Sequence, residues 1–230
     1  PEFIISFLGI VSGRAVAVPL NYFLKEEELK FILADCAPKI LITSSQFSEI
    51  LKELRKDLPE LKILLIDKSE GSDNFADLLD SPISVLPETR DDETACILYT
   101  SGTTGFPKGV MLTHKNLISN IMGSREVLNI SVRDRFLCLL PMFHAFTLMA
   151  CILIPFSLGA RIIILDSLNP RDIKRVIFLK RISVLIGIPA LYDLMVERPL
   201  PKLINFFPVL NPLRLCISGA AALSSETVKK

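Results

Sequence analysis

Tryptophan is absent from this chain, histidine occurs only twice, and neither sign of charge dominates, with 26 basic residues against 25 acidic ones over 230 positions. That balance removes the electrostatic footprint that nucleic acid or an anionic membrane surface requires. Charged clusters at 25–30 and 171–175 mix both signs at helical spacing, the pattern of a solvated helix face. Five cysteines, Cys36, Cys96, Cys138, Cys151 and Cys216, contain no C-x-x-C pair and stand in apolar contexts. An odd count without paired spacing argues against a disulfide framework or a thiolate metal site and predicts reduced core residues. There is no H-E-x-x-H, no G-x-S-x-G elbow and no carboxylate pair spaced for hydrolysis. No basic segment precedes a short apolar run with a cleavage site, so a cytoplasmic location is expected. The stretch 145–165 carries one charge, Arg161, and is apolar enough to raise a membrane span, but Pro155 and Gly159 interrupt it. It predicts a buried helix over 146–156, a turn at 157–159 and a buried strand at 160–166.

What the chain does contain is alternation. Short runs rich in Val and Ile predict strands at 15–19, 40–43, 63–67, 97–100, 136–140, 161–165, 184–188 and 213–218. Between them, helical periodicity appears at 25–35, 46–57, 114–128, 170–180 and 190–197. Strands alternating with amphipathic helices argue an α/β fold of layered sheets flanked by helices. The most polar and least periodic stretch, 69–90, includes Gly71, Pro82 and Pro87 and predicts a surface connection. A subdomain boundary is placed there, giving a first sheet lobe over 1–90 and a second over 91–230.

Residues 99–109 read YTSGTTGFPKG and carry the most specific chemistry. Gly102, Gly105 and Gly109 allow positive φ and close approach of backbone N–H groups to a ligand. Thr100, Ser101, Thr103 and Thr104 add hydroxyl donors, and Lys108 adds a mobile point charge suited to the spread negative charge of a polyphosphate. A P-loop needs G-x-x-x-x-G-K-[ST], and here Pro107, which has no N–H, precedes the lysine. A plain Gly/Ser/Thr surface turn is the alternative that composition alone favours. Thr113 is placed to cap a helix that begins at His114.

These residues resemble the signature loop of the adenylate-forming acyl-CoA synthetase superfamily, which includes acyl-CoA ligases, luciferases and peptide-synthetase adenylation domains. The likeness extends to Val18, Pro19, Leu20 and Asn21, to Thr113–Leu117 as THKNL, to Pro141, Met142, Phe143 and His144, and to Ser218, Gly219, Ala220 and Ala221. The resemblance implies ATP, Mg and coenzyme A as cofactors and a fatty acid or related carboxylate as partner. It implies Lys108 as a catalytic residue at the phosphates and His144 as one lining the acyl-carboxylate pocket. Thr100, Ser101, Gly102, Thr103, Thr104, Gly105 and Lys108 would meet phosphate, and Gly219, Ala220 and Ala221 the adenine and acyl group. Ala222 stands where many members have proline. Members run to more than twice this length, and the Y-G-x-T-E, T-G-D and C-terminal lysine motifs do not occur here, so the chain reads as a fragment of the large N-terminal domain and is expected to be inactive alone. The region 141–146 has no aspartate for a substrate ammonium, and without tryptophan no indole plug shortens the pocket. The first favours a plain carboxylate over an amino acid, and the second leaves room in this segment for a medium or long acyl chain, with peripheral membrane contact as a consequence of a fatty substrate. An acyl-AMP ligase delivering to a carrier protein, an aryl-CoA ligase and a catalytically silent nucleotide-binding module stand as alternatives.

Overall fold

The structure, a computed structural model, describes residues 1–67, 73–79, 85–100, 107–197 and 211–229, with the backbone alone at 73, 74 and 79. The chain divides into two compact units, Pro1–His114 and Lys115–Lys230. The polar connection 69–90 falls inside the first.

The first unit begins with α1 (Glu2–Ser12), which follows no predicted pattern because its residues are apolar almost throughout and so show no clear face. α2 (Glu26–Cys36) opens on three glutamates, which favour the positive end of a helix, and Glu28 accepts from the Lys25 N–H at 2.9 Å. The helix stops where Ala37 turns left-handed at φ 41° ahead of Pro38. β1 (Ile40–Thr43), α3 (Ser48–Asp57), β2 (Lys62–Leu65), β3 (Asp73–Asn74) and α4 (Phe75–Leu79) follow, and the three strands form a parallel sheet in order β1-β2-β3. Leu51 and Leu54 of α3 pack with Leu33, Leu61, Ile63 and Leu65 as a core. The other face of α3 carries Glu49–Lys52 and Glu53–Lys56 ion pairs. Lastly β4 (Thr94–Thr100) and β5 (Lys108–Thr113) pair as an antiparallel hairpin. The strand expected at 15–19 reduces to one bridge, in which Ala17 exchanges hydrogen bonds with Ala95 and Ile97. Pro19 has no N–H with which to extend that pairing.

The second unit is a four-stranded, all-parallel sheet in order β7-β6-β8-β9, built from β6 (Arg135–Cys138), β7 (Arg161–Ile164), β8 (Val184–Gly187) and β9 (Leu215–Ser218). α5 (His114–Leu128) leads into it, starting at the predicted residue. After β6 comes one continuous helix, buried from Thr147 to Pro155 except at half-buried Met149: α6 (Ala145–Thr147), a π segment (Leu148–Leu153) and α7 (Ile154–Ser157). Pro155 cannot donate to the carbonyl of Cys151 and its ring would crowd it, a conflict that the wider π turn accommodates. α8 (Pro170–Lys180) is capped by Asn169, whose side chain accepts from the Arg171 N–H at 3.0 Å. α9 (Pro189–Glu197) and the short α10 (Ser225–Lys229) complete the unit. Leu137, Ile173, Ile177, Ile182 and Leu185 form the core between sheet and α8.

All five cysteines are free; Cys96, Cys138 and Cys151 are buried, whereas Cys36 is half-buried and Cys216 exposed, a departure from the expected core set. Cys216 belongs to the last strand of the sheet order, which among the described residues has a partner on one side only. Among the described residues no helix is long and apolar enough to cross a membrane.

Candidate functional site

In the first unit the site is built on the hairpin. Thr100 and Lys108 are a register pair and both are exposed, so the β4–β5 ladder ends with a hydroxyl residue opposite an ammonium residue. The segment between them, including Ser101, Gly102, Thr103, Thr104 and Gly105, lies outside the described residues. One strand before the loop was predicted; the second, β5, was not, because Gly109 and the short run 110–112 give too little alternation to register. The next pair inward is Tyr99 with Gly109. A Cβ on Gly109 would lie 3.1 Å from Tyr99 Cζ and 2.9 Å from Ile97 Cγ2, so the glycine leaves room for these two side chains of the facing strand. The Tyr99 hydroxyl donates to Asp35 in the last turn of α2. Partial burial, with the Asp35 carboxylate beside it, pushes the phenol well above its ordinary pKa and keeps it a neutral donor. His114 is half-buried, and its N–H donates to the Glu93 carbonyl at 3.1 Å.

In the second unit, parallel pairing brings the C-terminal ends of all four strands to one edge, where open α/β sheets bind ligands. The turn after β6 carries Pro141 to His144, and the turn after β9 carries Gly219 to Ala221. The structure brings these two turns together through Phe146: a Cβ on Gly219 would fall 2.4 Å from Phe146 Cζ. The ring occupies the space that a side chain at 219 would need. His144 is exposed, and its carbonyl accepts from the Leu148 N–H at 2.8 Å, so the residue caps the start of α6. Its ring lies 4.2 Å from that of Phe143, centroid to centroid. The Gly219 N–H donates to the Gly187 carbonyl at 3.1 Å, prolonging the β8–β9 ladder by one step. Ala220 then takes a left-handed φ of 67°, and Ala221 is exposed. Two aromatic residues of this edge escaped the sequence. One is Phe146; the other is Tyr192 of α9, whose hydroxyl sits 2.9 Å from the Leu185 carbonyl and 3.0 Å from that of Ile217, tying β8 to β9. The signal available for each was a glycine at a strand's end, Gly187 or Gly219, into whose space the ring fits.

The structure therefore groups Thr100 with Lys108 in one unit and the His144 turn with Gly219 in the other. The model of the AMP-binding enzyme family matches residues 1–230. The chain is similar to 4-coumarate–CoA ligase 3 of Arabidopsis thaliana, at 31% identity over 98% of this chain and 41% of that protein. It is similar also to the medium-chain fatty-acid–CoA ligase of Escherichia coli strain K12, at 31% identity over 84% of this chain and 36% of that protein. Among solved structures, ATP-bound MatB from Rhodopseudomonas palustris superposes with a TM-score of 0.84 at 27% identity, covering 99% of this chain and 44% of that one. The chain thus spans less than half the length of each of these three proteins.

Proposed function

The chain belongs to the AMP-binding enzyme family, and from that premise we propose that it is the phosphate- and carboxylate-binding part of an ATP-dependent CoA ligase. The reaction has two steps. A carboxylate oxygen attacks the α-phosphorus of ATP and the bond to the bridging oxygen breaks, giving acyl-AMP and pyrophosphate. The thiol sulfur of coenzyme A then attacks the acyl carbon, and AMP leaves with the electrons of the former mixed-anhydride bond. The first step opposes an anionic nucleophile to a polyanion, so donors that hold the β- and γ-phosphates carry much of the stabilisation.

The observation that supports this assignment is the hairpin end, where Thr100 and Lys108 flank a hydroxyl- and glycine-rich segment. A hydroxyl and an ammonium fit phosphate oxygens, and neither residue offers a carboxylate to a metal. Magnesium bound with ATP would neutralise part of the phosphate charge; no residue of this chain is assigned to it. Within this reading Ser101, Gly102, Thr103, Thr104 and Gly105 act with Thr100 and Lys108 on phosphate. Gly219, Ala220 and Ala221 let a flat adenine approach backbone, and His144 faces the carboxylate.

The acid we propose is a fatty carboxylate, supported by the similarity to the medium-chain ligase and by the absence of tryptophan from the chain, while the absence of aspartate from 141–146 speaks against an amino acid. An aryl acid is the second reading, favoured by the similarity of 98% of the chain to 4-coumarate ligases. A cytoplasmic enzyme with coenzyme A as acceptor fits either acid, with a carrier protein as the alternative acceptor.

The test is titration of the chain with MgATP by calorimetry. Lys108→Ala is expected to weaken binding roughly tenfold, the loss of one charge-assisted contact. Equal affinity in the variant would remove Lys108 from the phosphate site.

A further inference from the structure

Between the site and the core of the first unit stands one side chain that joins three elements. Tyr99 is the residue before Thr100, its register partner Gly109 follows Lys108, and its hydroxyl reaches Asp35, 64 positions earlier in the chain. Asp35 stands on firm ground. It belongs to the last turn of α2, whose Ile32 and Leu33 are each 1% exposed, so the helix is locked into the core. Behind Tyr99 the strand is equally fixed, since Ala95 and Cys96 are fully buried and Cys96 is bridged to Ala17. Ahead of it Thr100 and Lys108 are exposed. Tyr99 is thus the last residue of β4 that the protein interior holds.

An aromatic ring set beside a directly opposed glycine limits how far two antiparallel strands can shear, because any slip drives the ring into backbone. Anchoring the far end of the ring to a helix removes the remaining freedom, rotation of the hairpin end about its own axis. From this geometry we propose that Tyr99 is a positioning residue for the polyphosphate site: its ring beside Gly109 and its hydroxyl on Asp35 together hold Thr100 and Lys108 in the orientation that meets phosphate. The proposal rests on the phosphate-binding reading above and adds the residues that preorganise it.

The experiment measures affinity for MgATP and for inorganic tripolyphosphate, alongside urea midpoints, in the chain and its variants. Tyr99→Phe keeps the ring and loses the hydroxyl. It is expected to weaken both ligands by a similar factor, roughly threefold to tenfold, the range for one lost hydrogen bond. Asp35→Ala, at an exposed position, should match it, and the double variant should be no worse than either single one. Asp35→Asn retains an acceptor and should restore most of the affinity. Unchanged affinity in Tyr99→Phe, or a loss for ATP alone, would overturn the proposal, the latter because it would place Tyr99 at the base instead of the phosphates. A loss that vanishes once corrected for the folded fraction would do the same. If the unaltered chain binds neither ligand, the phosphate reading falls and takes the proposal with it. If it binds both and Lys108→Ala is impaired while Tyr99→Phe is not, only the proposal falls.

Discussion

Gly219 has an unstrained backbone, and the ring of Phe146 lies in the space its side chain would take. Gly219→Ala therefore forces that ring, which is half-buried against the core, out of its place. The expected cost is about 1–2 kcal/mol, within the range for overpacking. Urea midpoints check it, and Phe146→Leu in the same chain should recover part of the loss by vacating the space. A midpoint unmoved by Gly219→Ala would mean that the two turns are not packed as described. Ala220 differs in kind: its constraint is the left-handed backbone, which here is met without glycine. At this scale the sequence pointed to the small residues 219–221 as a place where a flat ligand approaches backbone, and the structure adds that one of them is already covered by a neighbour's ring.

The strands of the second unit are tied at their N-terminal ends by a single carboxylate. Asp134, 4% exposed, stands just before β6 and accepts from Ser183 Oγ at 2.7 Å just before β8. It also accepts from Arg214 Nε at 2.9 Å and Nη2 at 2.6 Å just before β9. The Ser131 N–H adds a further bond at 2.8 Å. Burial by itself raises the pKa of this carboxyl, but the bonds from Arg214 and Ser183 win and bring it from an ordinary 3.8 to about 2. The folded value lies below the unfolded one, so the folded state binds fewer protons. The stabilisation is complete above the unfolded pKa and is lost as pH falls through the folded one. A shift of this size corresponds to about 2 kcal/mol, disappearing between roughly pH 5 and pH 2. Asp134→Asn should flatten that part of the acid unfolding curve. An unaltered slope would show that the ion pair does not form in solution. The periodic helices were legible from local spacing, yet this knot was not, because Asp134, Ser183 and Arg214 meet only once the strand order puts β6, β8 and β9 side by side.

For the molecule as a whole, the proposed division of labour separates binding from chemistry. The chain carries the hydroxyl-rich loop and Lys108 but contains neither Y-G-x-T-E nor T-G-D. It is expected to bind MgATP and to give no measurable exchange of pyrophosphate into ATP when supplied with octanoate, palmitate or 4-coumarate. Robust exchange would place the adenylation chemistry inside these residues and contradict the assignment. The same assay on a longer protein carrying this chain separates the two acid readings, through kcat/KM across the acid series.

The sequence by itself determined the hydroxyl- and glycine-rich composition of 99–109, the α/β alternation and the start of α5 at His114. Each is a property of composition or of a period repeated over a few neighbouring residues, and such properties survive without knowledge of any distant partner. Tertiary structure alone decided that Lys108 begins a strand paired with Thr100, that Tyr99 reaches Asp35, that Phe146 fills the space beside Gly219, and that one buried aspartate ties three strands together. These contacts join residues far apart in the chain, and what brings them into register is the pairing order of the strands, which no local segment encodes.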